Sequence, residues 1–369
     1  MLYLFWVVFF GLLDLPPVVS PVSPPIFLFT LSLAWSAGSE VGRRRATSIH
    51  PHLPRTNIYM ALTSRIDLTG PPESEPEDFL GSSLGVIFPD DVTTQHGDSD
   101  HGLLYTSPHL PKPLHISLAD PKAEEDRHLF SHYLWNSSLL LAELIEAGTL
   151  GLAGDGQGAA PESAEPLSPP LSEFDVRGLR TVELGAGTAL PSIMAALLGA
   201  RHILATDYPA PPVMETLRQN VEANTQPALS PFLCRGLESV RVDGHSWGEL
   251  STPLALENRH AFDRVFAADC LWMPWQHENL RRSVAWFLGD GPGARAWVVA
   301  GFHTGREKLR GFFAPEALSA VGLEAERIWE RDCDGRERAW VLDRGYEDPT
   351  VRKRWLVVAV LRRTASDKP

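Results

Sequence analysis

Cysteine is scarce: Cys234, Cys270 and Cys333 are the three present in 369 residues. Their odd number and wide spacing point away from a disulfide framework or a zinc cluster and toward a reducing compartment. No metal is expected. Basic charge is also short, with 33 Lys and Arg against 46 Asp and Glu and a formal net charge of -13. A nucleic-acid phosphate binder would normally carry a basic face, so nucleic acid is not an expected partner. Long apolar runs are missing as well. Leu2 to Leu13 and Ile26 to Trp35 are apolar, but Pro16, Pro17, Pro21, Pro24 and Pro25 separate them, and neither reaches the ~18 residues of a membrane-spanning helix. No basic residue precedes the first run, so the secretory-signal pattern fails.

What is present suits a folded protein: 44% of residues are hydrophobic and 21% charged. Residues 1–60 read as an apolar, Pro-rich extension. It is either dispensable, with a start at Met60, or a weak anchor in which Arg43, Arg44 and Arg45 keep the bulk of a cytoplasmic chain on the inner side. Residues 61–125, rich in Pro, Asp, Ser and Gly, read as disordered or loop-rich, and His96, His101 and His109 within them lack metal-ligand spacing. The folded domain is expected over 126–365, with 148–172 as an inserted linker. It opens on a helical pattern from His128, with Asn136 or Ser137 as the cap.

Beyond Leu179, strand and helix patterns alternate. Candidate strands are Thr181 to Leu184, His202 to Thr206, Ser239 to Asp243, Arg264 to Ala268, Ala296 to Phe302, Leu323 to Glu330 and Trp355 to Leu361. Candidate helices are Pro191 to Leu198, Pro212 to Asn224, His277 to Leu288 and a broken stretch from Arg306 to Val321. Alternation of this kind predicts an α/β fold, a parallel sheet with helices on both faces. The last two strands have no intervening helix and are expected to pair antiparallel, with Asp334-Gly335 as a turn between them.

The chain is organised around residues 181–207, which read as strand, glycine turn, helix, strand and carboxylate. A dinucleotide fingerprint requires a third glycine, and Gly185-Ala-Gly187-Thr-Ala-Leu190 lacks it. An acidic residue two places before the first glycine, here Glu183, is the arrangement used for S-adenosylmethionine. Asp207 follows the turn by roughly 20 residues, the spacing at which an acid reaches a ribose. On this reading Asp207→Ala would weaken cofactor binding with little loss of fold, the strand end being taken as exposed.

Ordered matches run through the chain: His132-Tyr-Leu-Trp-Asn136, Val182-Glu-Leu-Gly-Ala-Gly187 with Ala189-Leu-Pro-Ser192, Ala205-Thr-Asp-Tyr-Pro209, Val242-Asp-Gly-His-Ser-Trp-Gly248 and Phe262-Asp-Arg-Val-Phe-Ala-Ala-Asp269. With them, His128 to Arg363 resembles the seven-stranded methyltransferases of family 16, in the group of fungal nicotinamide N-methyltransferase-like and elongation factor N-terminal and lysine methyltransferases. The resemblance implies a Rossmann-like class I methyltransferase sheet and S-adenosyl-L-methionine as cofactor. It implies that Trp135 lies over the cofactor, that Gly185, Ala186 and Gly187 approach its methionine portion, that Asp207 takes the ribose, that Trp247 sits by the adenine and that Ala268 gives backbone contacts. Family members often carry Ser at the Ala268 position. Asp269-Cys-Leu-Trp272 resembles the family's Asp-x-x-aromatic motif, which makes Asp269 a substrate-positioning residue and Trp272 a flank for the acceptor nitrogen. Trp275 is a further candidate. His245 and His303 lie near strand ends on the substrate side and are read as surface or structural residues.

The expected activity is N-methylation of a lysine or N-terminal amine of a protein, of elongation factor type by resemblance, by a monomer without a membrane partner. Two alternatives stand beside it: a small-molecule, nicotinamide-type acceptor, or a non-catalytic scaffold that keeps the fold. An oxidoreductase is disfavoured by the missing glycine.

Overall fold

The computed structural model describes residues 61–70, 92–97, 101–119, 133–152, 166–232 and 237–364. They fall in a compact unit, Thr56–Pro369. The two apolar runs, Arg43 to Arg45, Met60 and Cys234 lie outside the described residues.

Five short strands come first: β1 (Ile66–Thr69), β2 (Gln95–His96), β3 (Gly102–Tyr105), β4 (Leu114–Ile116) and β5 (Leu134–Trp135). Helix α1 (Asn136–Leu150) follows directly. The main domain then runs β6 (Arg180–Leu184), α2 (Leu190–Leu197), β7 (His202–Asp207), α3 (Pro211–Asn224), β8 (Ser239–Gly244), α4 (Pro253–Glu257), β9 (Arg264–Ala268), α5 (His277–Phe287) and β10 (Arg295–Gly301). It closes with α6 (Arg306–Arg310), α7 (Pro315–Ser319), β11 (Leu323–Asp332), β12 (Glu337–Ala339), α8 (Pro349–Lys353) and β13 (Trp355–Arg363).

The main sheet has the order β12-β11-β13-β10-β9-β6-β7-β8. Strands β10, β9, β6, β7 and β8 pair parallel, whereas β13 lies antiparallel between β10 and β11. This is the Rossmann-like arrangement expected, including the antiparallel last pair. Its eighth strand, β12, is a short edge strand of the 333–354 insertion, turned back onto β11 across Gly335 with φ 84°. The central strands β6, β9 and β10 are apolar on both sides because both faces are covered. On β9, Val265 and Ala267 enter one core cluster and Phe266 and Ala268 the other, and on β10 Val298 and Ala300 oppose Trp297 and Val299. No helix among the described residues is long and apolar enough to cross a membrane.

One expectation is corrected. Neither Asn136 nor Ser137 caps α1: Trp135 is at the N-cap, and the Asn136 side chain instead donates to the Thr93 carbonyl at 2.8 Å and meets His96 Nε2 at 2.7 Å. The segment 61–125 reads from its composition as disordered or loop-rich. Its described part holds the sheet β1-β3-β4, in which Leu103, Tyr105, Leu114 and Ile116 alternate inward and are buried. Arg65, itself buried, donates to Glu146 of α1 at 3.0 Å and to the Tyr105 hydroxyl at 3.2 Å. A buried charge pair of this kind needs partners on several elements at once, which composition cannot reveal.

Candidate active site

Strands β7 and β8 run out on one side of β6, and β9 and β10 on the other, so chain order reverses at the β6/β9 boundary. Ligands of open α/β sheets bind beyond the C-terminal strand ends at such a switch point. Here β6 ends at Leu184, and the backbone turns left-handed at Gly185 (φ 69°), Gly187 (φ 53°) and Ala189 (φ 63°) before α2 begins. Glycine is required at 185 on two counts: the positive φ, and a Cβ that would stand 2.9 Å from both Cys270 Sγ and Trp247 Cζ2.

A cavity of about 350 Å³ opens at this turn. The sequence-derived candidates Gly185, Ala186, Gly187 and Asp207 form its floor, and Trp135, Trp247, Ala268, Asp269 and Trp272 also border it. Glu183 does not. It is fully buried beneath the turn, where Oε2 accepts the Ser192 backbone N–H at 3.0 Å, in the first turn of α2. Burial pushes its pKa up to about 8, against the Ser192 bond, with the Asp207 charge adding to the rise. A carboxyl whose folded pKa exceeds its unfolded value loses stability as pH rises between the two. Glu183→Gln is therefore expected to gain stability relative to the native chain between pH 5 and pH 8, by on the order of 1 kcal/mol per pH unit at the steepest. Denaturant melts at both pH values check this, and parallel curves would refute it.

Asp207 closes β7 and is buried. Its Oδ2 accepts the Gly187 N–H at 2.7 Å and Oδ1 the Tyr208 N–H at 2.7 Å, so the carboxylate ties the glycine turn to the second strand. The sequence reading of an exposed strand end is thus corrected. Burial raises the Asp207 pKa to about 6, opposed by these two backbone bonds.

The end of β9 and the residues after it, Ala268 to Cys270, also line the cavity, and the residues after β10 pack behind them. Asp269 has φ 59°, a left-handed conformation strained for a residue with a side chain. Its backbone N–H donates to Val299 at 2.8 Å, and its Oδ1 accepts the Gly301 N–H at 3.3 Å. His303 Nε2 lies 3.2 Å from each carboxylate oxygen. Trp135 packs parallel to His303 and edge-on to Tyr133, while Trp272 packs edge-on to Trp275, which is 71% exposed.

Sequence reasoning passed over several residues bordering the cavity. Tyr133 lay inside a quoted motif and Cys270 between two chosen positions, so both had a signal. Asn279, from α5, had none. It is brought close by Gly248, where a Cβ would stand 2.6 Å from Asn279 Oδ1. His245 also borders the cavity, held by Ser283 Oγ at 2.9 Å, and burial lowers its pKa to about 4. Among the described residues, no group of three or more His, Cys, Asp or Glu is placed to hold a metal ion.

The family model described as lysine methyltransferase matches residues 122–313, which include α1, the glycine turn, Asp207, Asp269 and His303. The chain belongs to this family. It is similar to protein N-terminal and lysine N-methyltransferase efm7 of Schizosaccharomyces pombe, 25% identical over 238 residues, 60% of this chain and 80% of that one. The protein of the same name in Gibberella zeae is 28% identical over 234 residues, 60% and 75% of the two chains. That of Eremothecium gossypii is 32% identical over 212 residues, 54% and 66%. A solved putative RNA methyltransferase from Pyrococcus horikoshii superposes with a TM-score of 0.40 at 13% identity, over 68% of this chain and 92% of that one, too distant to bear on the site. This lysine-methyltransferase family member is an S-adenosylmethionine-dependent methyltransferase.

Proposed function

We propose that this methyltransferase acts on a primary amine of a protein, either a lysine side chain or an N-terminal amine, and that the cavity at the glycine turn is where donor and acceptor meet. The observation that carries this reading is Asp269. A buried carboxylate bordering the cavity beside Trp135 and Trp272 suits an ammonium group, which pairs with the charge and with the aromatic faces. A pyridine nitrogen of the nicotinamide kind carries no proton to lose and has no use for such a carboxylate. The names of the relatives, protein N-terminal and lysine N-methyltransferases, support the same acceptor.

The residues present fit S-adenosylmethionine, which when bound supplies a methyl group already activated on a sulfonium. Gly185, Ala186 and Gly187 leave backbone room for the methionine portion. Asp207 would accept from the ribose hydroxyls, Trp247 would cover the adenine, Trp135 would lie over the cofactor, and Ala268 would offer backbone contacts. Glu183, away from the cavity, would act by holding α2 against the turn. The chain's own task is then alignment, since holding a nucleophile in line contributes ~7 to 11 kcal/mol. Asp269 would orient the ammonium and accept its proton before the nitrogen attacks, and Trp272 would flank it.

Incubation of the protein with methyl-labelled S-adenosylmethionine and cell lysate is expected to put label into the protein fraction. Label confined to small molecules would favour the nicotinamide-type acceptor instead. A pH test follows from Asp207. Ribose hydroxyls donate best to the ionised carboxylate, so calorimetric affinity for S-adenosylmethionine should hold from pH 8 to about pH 6 and fall about tenfold per unit below that. A flat profile to pH 5 would remove Asp207 from the binding role.

A further inference from the structure

His303 stands behind the cavity and touches two of its walls. It lies in the single 3-10 turn Phe302–Thr304 that follows β10. On one side, Nε2 is 3.2 Å from both oxygens of Asp269. On the other, its ring is stacked on the Trp135 indole, with centroids 4.7 Å apart and planes 20° apart. Asp269 follows β9 and Trp135 closes β5, so one side chain joins segments that are far apart in sequence. Room for the ring depends on Gly301, where a Cβ would stand 3.0 Å from His303 Cδ2. The same Gly301 donates its N–H to Asp269 Oδ1 at 3.3 Å.

We propose that His303 is a positioning residue of the acceptor site, holding the Asp269 carboxylate and the Trp135 indole in the fixed relation that an incoming amine meets. This rests on the reading of Asp269 as the acceptor-side carboxylate. An ionised carboxylate has roughly four lone-pair sites, so the bonds from His303 and Gly301 leave acceptor capacity for the substrate. The bond to His303 also explains how Asp269 persists at a positive φ: a strained residue survives where its surroundings over-determine it. Burial alone would lower the His303 pKa, and the charge and hydrogen bond of Asp269 outweigh it, so the net shift is upward. A carboxylate held by these two bonds needs no reorganisation as the amine arrives. Misplacement of an aligning group by about 1 Å can cost about 100-fold in rate.

Two substitutions in the full-length protein separate the ring from the hydrogen bond. His303→Phe keeps a ring against Trp135 and loses the bond to Asp269, whereas His303→Gln keeps a donor and loses the ring. Labelled methyl transfer to lysate protein is measured at saturating S-adenosylmethionine, and S-adenosylhomocysteine affinity by calorimetry. His303→Phe is expected to slow transfer at least about tenfold with the dissociation constant within about twofold of native, and His303→Gln, which loses the contact with Trp135 alone, to slow it by about threefold. Native-rate transfer by His303→Phe overturns the proposal, as does a loss of S-adenosylhomocysteine affinity matching the loss of rate in both variants. Asp269→Asn separates the two levels. Native-rate transfer by that variant removes the acceptor-side reading and the proposal with it, while slowed transfer by Asp269→Asn alone, with His303→Phe at the native rate, overturns only the role of His303.

Discussion

Asp207→Asn is expected to raise the dissociation constant for S-adenosylmethionine by about 10- to 100-fold while leaving the protein folded. A hydrogen bond to a charged acceptor contributes about 1.5–3 kcal/mol, and each 1.4 kcal/mol is about tenfold in affinity. The folded state tolerates the change because the Asn carbonyl oxygen can still accept from Gly187 or from Tyr208, and the cost of burying a charge is removed. Asp207→Ala is the harsher variant, since it leaves both backbone donors without their acceptor and loosens the glycine turn itself. Calorimetry with S-adenosylmethionine, read beside a thermal melt, checks the pair. Native affinity in Asp207→Asn would show that the ribose is held elsewhere.

The largest loss of stability is expected from Glu330→Ala. Glu330, on β11, is fully buried and is approached by three arginines. Arg306 reaches it at 2.6 and 3.1 Å, Arg338 at 2.6 Å and Arg344 at 3.3 Å. Arg306 is itself buried and lies over the Phe302 ring at 4.2 Å and the Trp340 ring at 5.2 Å, so it cannot swing out to water without undoing that packing. Glu347 bridges Arg306 and Arg338, both at 3.0 Å, and would remain beside them. Breaking a buried pair by removing one partner costs about 3–5 kcal/mol, chiefly because the other charge stays buried. At about 2–4 °C per kcal/mol for a domain of this size, the melting temperature should fall by about 6–20 °C. A thermal melt of the variant tests this, and a shift under about 2 °C would mean that water reaches the cluster. Glu330→Gln, which keeps the shape and loses the charge, is expected to fall between the two. The cluster also fixes the 333–354 insertion to Phe302, the residue before His303, so its loss should reach the acceptor wall.

The doubly wound sheet was legible because strand and helix periods are local: Val265, Ala267, Val298 and Ala300 repeat every second residue on one face, and the glycine turn follows directly from β6. Gly185, Gly187 and Asp207 could be picked out for the same reason, since a short loop and a fixed strand length place them together. The small sheet β1-β3-β4 was missed. Its apolar alternation lasts only three or four residues per strand amid Pro, Asp and Ser, and it is tied to α1 by the bond from Arg65, just before β1, to Glu146, far away in sequence.

From its own pattern the sequence determined the fold class, the position of the glycine turn and the identity of the acid after the second strand, because each depends on residues within one or two elements. Only the tertiary structure decided that Glu183 lies under the cavity, that Asp207 is buried and bonded to Gly187, and that His303 joins Asp269 to Trp135. Those facts depend on burial and on pairing across the strand ends of β5, β6, β7, β9 and β10. No local period in the chain encodes which ends will meet.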